Sequence, residues 1–404
     1  MVLPPRARRN SSFVNNQKKV HAAYYVIEGM NSFATVIYFN YLYFFFRDQF
    51  GFDKKHNLAL AALIGLIYAL ASWQAGKFAH RWGNFLALKT GFIIMAGGLL
   101  VGAQIHSMTG QIVTACVANI GMCFTWPVLE ALVSEGESPS HVPHAVGVYN
   151  IIWAATNALA FFIGGTLIEQ FGYRSIFYVP LIFILVQLAL VFWVQKVHDA
   201  IPAEKLKPAV PTPDASRPSL EKAIMFRRMA WLANPFAYIA INTLIAVLPE
   251  IAARFHLSPM LAGFALSLWC FVRFIAFIVL WRWTAWHYKF RWLAGSFGLL
   301  ILAFAVILMI PSFTILWLAQ ITFGVAIGLI YYSSLFYAMD ASETKSEHGG
   351  IHEAAIGVGN CVGPAIGAAA LQFVPQFAYS GAVAVSVLLL GGLGGLLKMW
   401  KSPR

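Results

Sequence analysis

The sequence predicts an all-α integral membrane protein with twelve transmembrane helices. Of the 404 residues, 59% are hydrophobic and only 11% are charged, whereas a soluble domain carries about 25% charged residues. The apolar residues form twelve long runs, and only one long polar stretch lies among them. A chain of this composition cannot cover a surface that faces water, so most of its surface must face lipid.

Each apolar run is long enough to cross a hydrocarbon core of about 30 Å. A backbone in lipid must satisfy its own polar groups, which makes each run a helix. The first run is too long for a cleaved signal peptide, so it is expected to stay as a helix. We place the spans at residues 20–46, 57–79, 87–108, 111–133, 144–168, 173–195, 230–252, 259–283, 291–310, 313–339, 350–373 and 377–398.

The connections between the runs predict the orientation. One set is basic, whereas the connections around residues 109–110, 311–312 and 374–376 are short and nearly uncharged. Basic loops stay in the cytoplasm, so both termini are expected there. We therefore expect a multi-pass protein of the plasma membrane, in a bacterial inner membrane. The basic loops also explain the net charge of +12 without any binding of nucleic acid.

The long polar stretch, residues 196–229, contains five prolines and many charges, a composition typical of linkers. It divides the chain into an N-terminal six-helix bundle (1–195), a linker (196–229) and a C-terminal six-helix bundle (230–404). The halves also resemble each other, because Gly121–Ser138 aligns with Gly328–Lys345 and Asn157–Gly165 with Asn360–Ala368 at nearly equal offsets. Such a parallel duplication is typical of transporters whose solute site lies between two halves.

The loop after the second span reads GKFAHRWGN over residues 76–84. It resembles the loop between helices two and three of the major facilitator superfamily, whose pattern is G-x-x-x-D-[RK]-x-G-[RK]. Gly76, Arg81 and Gly83 match, while His80 replaces the aspartate and Asn84 a basic residue. The resemblance implies a latch that holds the two halves in the outward-open state, formed by Gly76, His80, Arg81 and Gly83. The alternative is an ordinary basic cytoplasmic loop.

A second motif, GNCVGPAIG at residues 359–367, resembles the glycine-proline motif that antiporters of the same superfamily carry on helix five. Here it lies on helix eleven, so we expect packing: the glycines allow close helix approach and Pro364 bends the helix. The resemblance covers the whole chain through its helix count, linker and repeat. It implies the superfamily's fold of two pseudo-symmetric six-helix bundles, in a monomer.

Ionisable residues inside spans are costly to insert and are candidates for function. Glu28 shares a helix face with Asn31, and we expect Tyr38 to extend that face. We interpret Glu28 as a proton-coupling or substrate-binding carboxylate, the alternative being a packing hydrogen bond. Arg273 needs a carboxylate partner, for which Glu28 is a candidate, or an anionic solute. The alternative for Arg273 is a structural ion pair.

Further candidates lie near the cytoplasmic ends of helices four, five and eleven. Glu130 follows Trp126 by one turn and is equally consistent with function and structure. Asn150 and Glu353 occupy matching positions in the two halves, and His352 is the neighbour of Glu353. We interpret this group as an inner gate or a proton relay, since His titrates near neutral pH. Snorkelling and helix capping are the simpler alternatives.

Aromatic residues make up 15% of the chain, and most are expected in packing and in the interfacial belts. In the superfamily, the helices that carry Trp126, Trp153, Trp269, Tyr331 and Tyr332 line the cavity. The resemblance therefore implies that these rings stack on a ring-bearing or amphipathic solute. Packing is the alternative for each of them.

The sequence contains no Walker loop for phosphate, no metal-ligand spacing and no segment large enough for a catalytic domain. We therefore expect no cofactor, no metal and no catalytic residues. The expected function is secondary transport of a small organic solute by alternating access, coupled to protons, in the lipid bilayer. Export of a lipophilic drug or lipid is the first alternative. A lipid-modifying membrane enzyme built on residues 343–353, or a sensor without flux, is the alternative from another class.

Overall fold

The computed structural model describes the backbone of residues 5–137, 141–201, 219–340 and 346–401. Side chains are described within these ranges except at residues 5–16, 142–143, 338–340, 346–349 and 351. The described ranges contain fourteen helices and no strand. The predicted all-α class is therefore confirmed. Long apolar runs form these helices because a helix satisfies its backbone polar groups within one segment.

The fourteen described helices group into twelve consecutive segments, which we call passes, because the fourth and the eighth segment are each split in two. In chain order the helices are α1 (Pro5–Phe50), α2 (Lys54–Trp82), α3 (Asn84–Gly102), α4 (Met108–Cys123), α5 (Trp126–Val133), α6 (Val142–Phe171), α7 (Ser175–His198), α8 (Leu220–Arg254), α9 (Pro259–Leu266), α10 (Leu268–Arg282), α11 (Phe290–Met309), α12 (Phe313–Asp340), α13 (Ser346–Phe373) and α14 (Ser380–Lys401). We call the end of the bundle where α7 ends and α8 begins the linker end, and the opposite end the distal end.

In the described part of the chain, eleven of these passes are long and apolar enough to cross a membrane. The remaining pass is α1, whose apolar stretch also contains Glu28, Asn31, Asn40 and several tyrosines. These polar side chains lower its hydropathy, and most of them are buried in the bundle. Transmembrane helices whose polar residues face the protein interior are typical of helices that line a cavity.

The fourth and eighth passes are interrupted, although each was predicted as one span. The fourth pass is interrupted at Phe124 and Thr125. Pro127 lies in the first turn of α5, and in a continuous helix it would lack a backbone N–H and its ring would clash with the carbonyl four residues earlier. The eighth breaks at Ser267, whose hydroxyl donates to the carbonyl of Phe264. Each break lies next to a tryptophan of the cavity described below, Trp126 in one pass and Trp269 in the other.

The polar stretch is shorter in the structure than in the sequence prediction. Helix α7 continues to His198, and α8 begins at Leu220, whereas the predicted span begins at residue 230. The earlier start has a local cause, since the Ser219 hydroxyl accepts from the amide of Lys222 and Glu221 lies in the first turn. Residues 202–218 lie outside the described part.

The first and second halves of the chain meet most extensively where α2 packs against α13 and where α6 packs against α9 and α10. Glycines bring these backbones together. A Cβ on Gly65 would lie 2.4 Å from the backbone of Asn360, and one on Gly165 would lie 1.9 Å from the carbonyl oxygen of Pro259. Both interfaces are therefore close backbone contacts of the kind that small residues permit.

The glycine-proline motif on α13 packs within the second half. A Cβ on Gly359 would lie 2.3 Å from the carbonyl oxygen of Pro235, and one on Gly363 would lie 2.6 Å from that of Ile239, both on α8. These contacts are of the kind expected from a packing role.

Candidate solute-binding site

A cavity lies between the two halves of the chain, near the middle of the bundle. It consists of two adjoining hollows of about 140 and 150 Å³, which share lining residues such as Tyr68 and Asn360. We call them together the central cavity. The residues of the hollow around Arg273 are Asn40, Tyr68, Met122, Trp126, Trp153, Asn157, Tyr238, Ile241, Asn242, Ile245, Trp269, Arg273, Tyr331, Glu353, Ile356 and Asn360.

Arg273 of α10 is the cation of the central cavity, and only 4% of its surface is exposed. Its Cζ lies 4.3 Å from the ring centroid of Trp153 and 5.1 Å from that of Trp269. Trp269 precedes it by one helical turn, so both project from one face of α10. Its Nη2 donates to Asn157 Oδ1 at 2.8 Å, while its Nε has no partner.

Glu353 of α13 is the carboxylate of the same cavity. It is 5% exposed and accepts a hydrogen bond from the Tyr68 hydroxyl of α2. Near it, Asn242 donates to the side-chain oxygen of Asn360. Among the described residues, no ion pair joins Arg273 to Glu353 or to any other carboxylate. The cavity therefore holds one buried basic and one buried acidic side chain, and the two do not pair.

Three stacked rings from both halves lie on the linker-end side of the central cavity. The Trp153 and Tyr331 rings are 5.0 Å apart at 18°, and Phe277 completes the stack at 5.8 Å from Tyr331. Their neighbours toward the linker end, Asn150 and Tyr332, line a second hollow of about 260 Å³. We call it the linker-end cavity. The stack thus separates two hollows that follow one another along the interface.

Of the predicted site residues, six line the central cavity and two the linker-end cavity. The structure brings together Trp126, Trp153, Trp269, Arg273, Tyr331 and Glu353 in the first, and Asn150 and Tyr332 in the second. Glu28, Asn31, Tyr38, Glu130 and His352 lie in neither.

Glu28 is completely buried. The Tyr149 hydroxyl lies near its carboxylate as a hydrogen-bond donor, although neither carboxylate oxygen accepts a hydrogen bond of good geometry. Its electrostatic neighbours are Tyr149 and two carboxylates, Glu130 and Glu353. The pairing of Glu28 with Arg273 that the sequence raised is not present, since Arg273 binds Asn157 instead.

Of the other residues outside the cavities, Asn31 makes a hydrogen bond between helices, whereas the Nε2 atom of His352 makes none with a described residue. Asn31 donates to the Thr125 hydroxyl at 3.1 Å, which ties α1 to the break before α5. His352 is 7% exposed, and its Nε2 has no partner.

Tyr38 follows Asn31 by two turns on the same side of α1, but it does not line either cavity. Its ring packs against Phe177 of α7 at 5.5 Å. A helix turns by about 100° per residue, so the residues that continue the Glu28 face are Thr35 and Phe39. Both line the central cavity.

The predicted latch loop is only partly engaged with the other half. Gly76 touches α13, since a Cβ on Gly350 would lie 3.0 Å from its Cα. Gly83 ends α2 with a φ of 92°, a conformation that glycine adopts most readily. His80 and Arg81 are exposed, and the Arg81 guanidinium lies over the neighbouring ring of Trp82.

Sequence reasoning missed several polar cavity residues: Asn40, Tyr68, Asn157, Tyr238 and Asn242. The internal repeat contained a signal for some of them. Asn157 and Asn360 begin the two aligned segments, and both face the cavity. Asn40 and Asn242 are related by nearly the same offset and also face it. No group of three metal-ligating side chains occurs in the described part.

Comparison with known proteins identifies the family. The family model of the Major Facilitator Superfamily matches residues 22–364. The chain belongs to this superfamily. The resemblance carried by the loop motif and the repeat is therefore confirmed, and the chain is a multi-pass membrane protein of a transporter family.

Individual relatives are more distant. The chain is 24% identical over 240 residues to a folate-biopterin transporter of Synechocystis sp., a match that covers 54% of this chain and 48% of that protein. The chain thus spans about half the length of that curated relative.

Two solved structures share the superfamily fold. The human organic anion transporter MFSD10 is 15% identical with a TM-score of 0.66, covering 98% of this chain and 100% of that one. A bacterial homologue of the human lysosomal transporter Spinster, in an inward-facing and occupied conformation, is 14% identical with a TM-score of 0.65, covering 96% and 97%.

Proposed function

We propose that this superfamily member is a secondary transporter that moves a small polar organic solute across the plasma membrane by alternating access, coupled to protons. The observation that carries the proposal is the central cavity, which both halves line and which holds a buried basic and a buried acidic side chain. Charges are expensive to bury in a membrane protein and mark substrate or ion pathways. The proposal includes twelve transmembrane helices with both termini in the cytoplasm, which makes the linker end cytoplasmic.

Alternating access is supported by how the halves meet. At the distal end, Arg47 donates to the carbonyl of Pro249, Lys55 to Gln372, and Glu169 accepts from the amide of Met260. Each hollow of the central cavity is smaller than the roughly 300 Å³ at which ligand pockets usually begin. A solute can therefore enter only when residues 1–195 and 230–404 move apart at one end.

Proton coupling is supported by the position of Glu353. This buried carboxylate faces the solute cavity, has a tyrosine hydroxyl as its partner and lacks a paired cation in the described part. Glu130 and Glu28 are its electrostatic neighbours. Like charges in a buried site favour protonation of at least one member. We therefore propose Glu353 as the coupling residue of the cavity, with Glu28 and Glu130 in the same network.

The test is uptake by purified protein in liposomes under an imposed pH gradient. The solutes are sugars, carboxylates, amino acids and nucleosides, together with folates and biopterin because of the Synechocystis relative. Wild-type protein should accumulate at least one solute. Glu353→Gln should reduce accumulation at least tenfold while leaving solute exchange unchanged. Glu250→Gln, at an exposed position, should accumulate solute as wild type does. Accumulation by Glu353→Gln at the wild-type level would overturn the role of Glu353, and no flux of any solute would overturn transport.

A further inference from the structure

We propose that the solute is a small aromatic carboxylate, whose carboxylate group binds Arg273 and whose ring lies against the aromatic wall of the central cavity. This inference rests on the proposed transport function and names its substrate class. It starts from the hydrogen bonds that Arg273 makes and those it leaves unmade.

Arg273 is a buried cation that lacks an anion. Its surface is 4% exposed, and no carboxylate of the described chain lies within ion-pair distance. A guanidinium carries five N–H donors, yet among the described residues its one hydrogen bond is to Asn157, and Nε is unpartnered. A buried charge is retained at such cost when it is paired or binds a ligand. The missing partner is therefore a solute anion.

The surroundings of the Arg273 guanidinium favour an anion that binds in the guanidinium plane. The guanidinium carbon lies 4.3 Å from the ring centroid of Trp153 and 5.1 Å from that of Trp269, so two aromatic rings occupy part of the space around the guanidinium. The unpartnered Nε–H lies in the plane of the guanidinium, so an anion that binds it approaches along that edge. Carboxylates accept two parallel hydrogen bonds from arginine in that plane. Lysine could not offer the same planar fork.

The rest of the solute meets aromatic and polar groups. Trp126 and Tyr238 line the same hollow and are only partly buried, which leaves ring surface for stacking. Trp126 lies edge-on to Trp153, with centroids 6.4 Å apart. Glu353 and Asn360 offer acceptors on another wall, so N–H or O–H groups on the ring would find partners there.

The experiment is a thermal-shift screen of the detergent-purified protein with matched sets of compounds on one ring system. Indole-3-acetate, indole-3-acetamide and tryptamine are one such set, and 4-aminobenzoate, 4-aminobenzamide and 4-aminobenzylamine are another; cyclohexylacetate tests the ring. We expect stabilisation by aromatic acids only, at concentrations at least tenfold below any effect of the amides or amines. Stabilisation by amides or amines at equal concentrations, or by none of the acids, would overturn the proposal.

Variants separate a binding role of Arg273 from a structural one. Arg273→Gln should lose acid binding at least tenfold, whereas Arg282→Gln, at the exposed end of the same helix, should bind as wild type. Asn157→Asp is the sharper variant, because it places a carboxylate 2.8 Å from Nη2 and so supplies the missing anion from the protein itself. It should abolish acid binding while raising the melting temperature of the unliganded protein. Undiminished acid binding by Asn157→Asp would contradict the proposal.

Transport and the substrate class are tested by different outcomes. Flux of a neutral or cationic solute that Arg273→Gln does not change would leave a transporter and overturn only the substrate class. Absence of flux for every solute, with acid binding intact, would overturn transport while leaving Arg273 as a binding residue.

Discussion

Individual charged residues in the bundle have different surroundings, which a search for ionisable residues in spans cannot distinguish. Such a search selects Glu28, Glu130, Arg273 and Glu353 equally. In the structure, Arg273 and Glu353 face the central cavity, while Glu28 is fully enclosed with the Tyr149 hydroxyl near its carboxylate and no hydrogen bond of good geometry. The partner of Arg273 is the amide of Asn157, a neutral residue that no charge rule selects.

The burial of the Glu28 carboxylate without a hydrogen bond of good geometry leads to a prediction for the stability of the fold. A buried polar group without a partner costs about 1–3 kcal/mol. Replacement by a side chain of similar volume, Glu28→Met, should remove that cost and raise the free energy of unfolding by a similar amount. The measurement is the melting temperature of purified protein in detergent. A matched variant is Gln187→Met, since Gln187 is also fully buried without a partner.

Both variants should melt at higher temperature than wild type. If Glu28 also belongs to the coupling network, Glu28→Met alone should lose proton-driven accumulation. A lower melting temperature for Glu28→Met would show that the carboxyl group stabilises the fold, which would contradict the structure's account of it.

At the scale of elements, the sequence predicts the spans well and their interruptions poorly. The thickness of the hydrocarbon core limits the length of each span, so the apolar runs locate the helices. The breaks at Thr125 and Ser267 lie inside runs that stay apolar, and hydropathy does not detect them. On α1, helical periodicity places Tyr38 on the side of Asn31, but it does not predict that the Tyr38 ring packs against Phe177 of α7 instead of lining the cavity.

Helix pairing leads to a prediction about glycine. A Cβ on Gly65 would overlap the backbone of α13, which cannot move aside as a side chain can, whereas Gly97 of α3 has open space around it. Gly65→Val should therefore force the two halves apart and destabilise the protein by about 1–3 kcal/mol or more relative to Gly97→Val. Both variants carry the same change in helix propensity, so the difference isolates the interface.

The comparison requires melting temperatures and the monodisperse fraction after purification for both variants. Equal values for Gly65→Val and Gly97→Val would mean that α2 and α13 are not in backbone contact.

At the scale of the whole molecule, the internal repeat was the sequence feature that best predicted where the site lies. A duplicated chain forms its site between the copies, and the paired asparagines of the repeat, Asn157 and Asn360, face the central cavity. The sequence could not predict which charges touch, because that depends on how the halves pack. Glycines such as Gly165 set that packing through contacts with distant backbone.

The central claim is that the two halves rock about a solute held between them. The most direct measurement is double electron–electron resonance on reconstituted protein whose four native cysteines have been replaced. One spin-label pair, Arg174→Cys with Phe313→Cys, reports the distal end. The other, Trp82→Cys with Ala285→Cys, reports the linker end. All four positions are exposed, and each pair joins one residue of each half.

The account predicts that adding a transported solute, or changing the pH, shifts the two distance distributions in opposite directions. The distance within the distal pair should lengthen under conditions that shorten the distance within the linker-end pair. Conditions that shorten the distal distance should lengthen the linker-end distance. Distances that stay fixed under every condition in which the same protein carries solute, or that lengthen together at both ends, would contradict it.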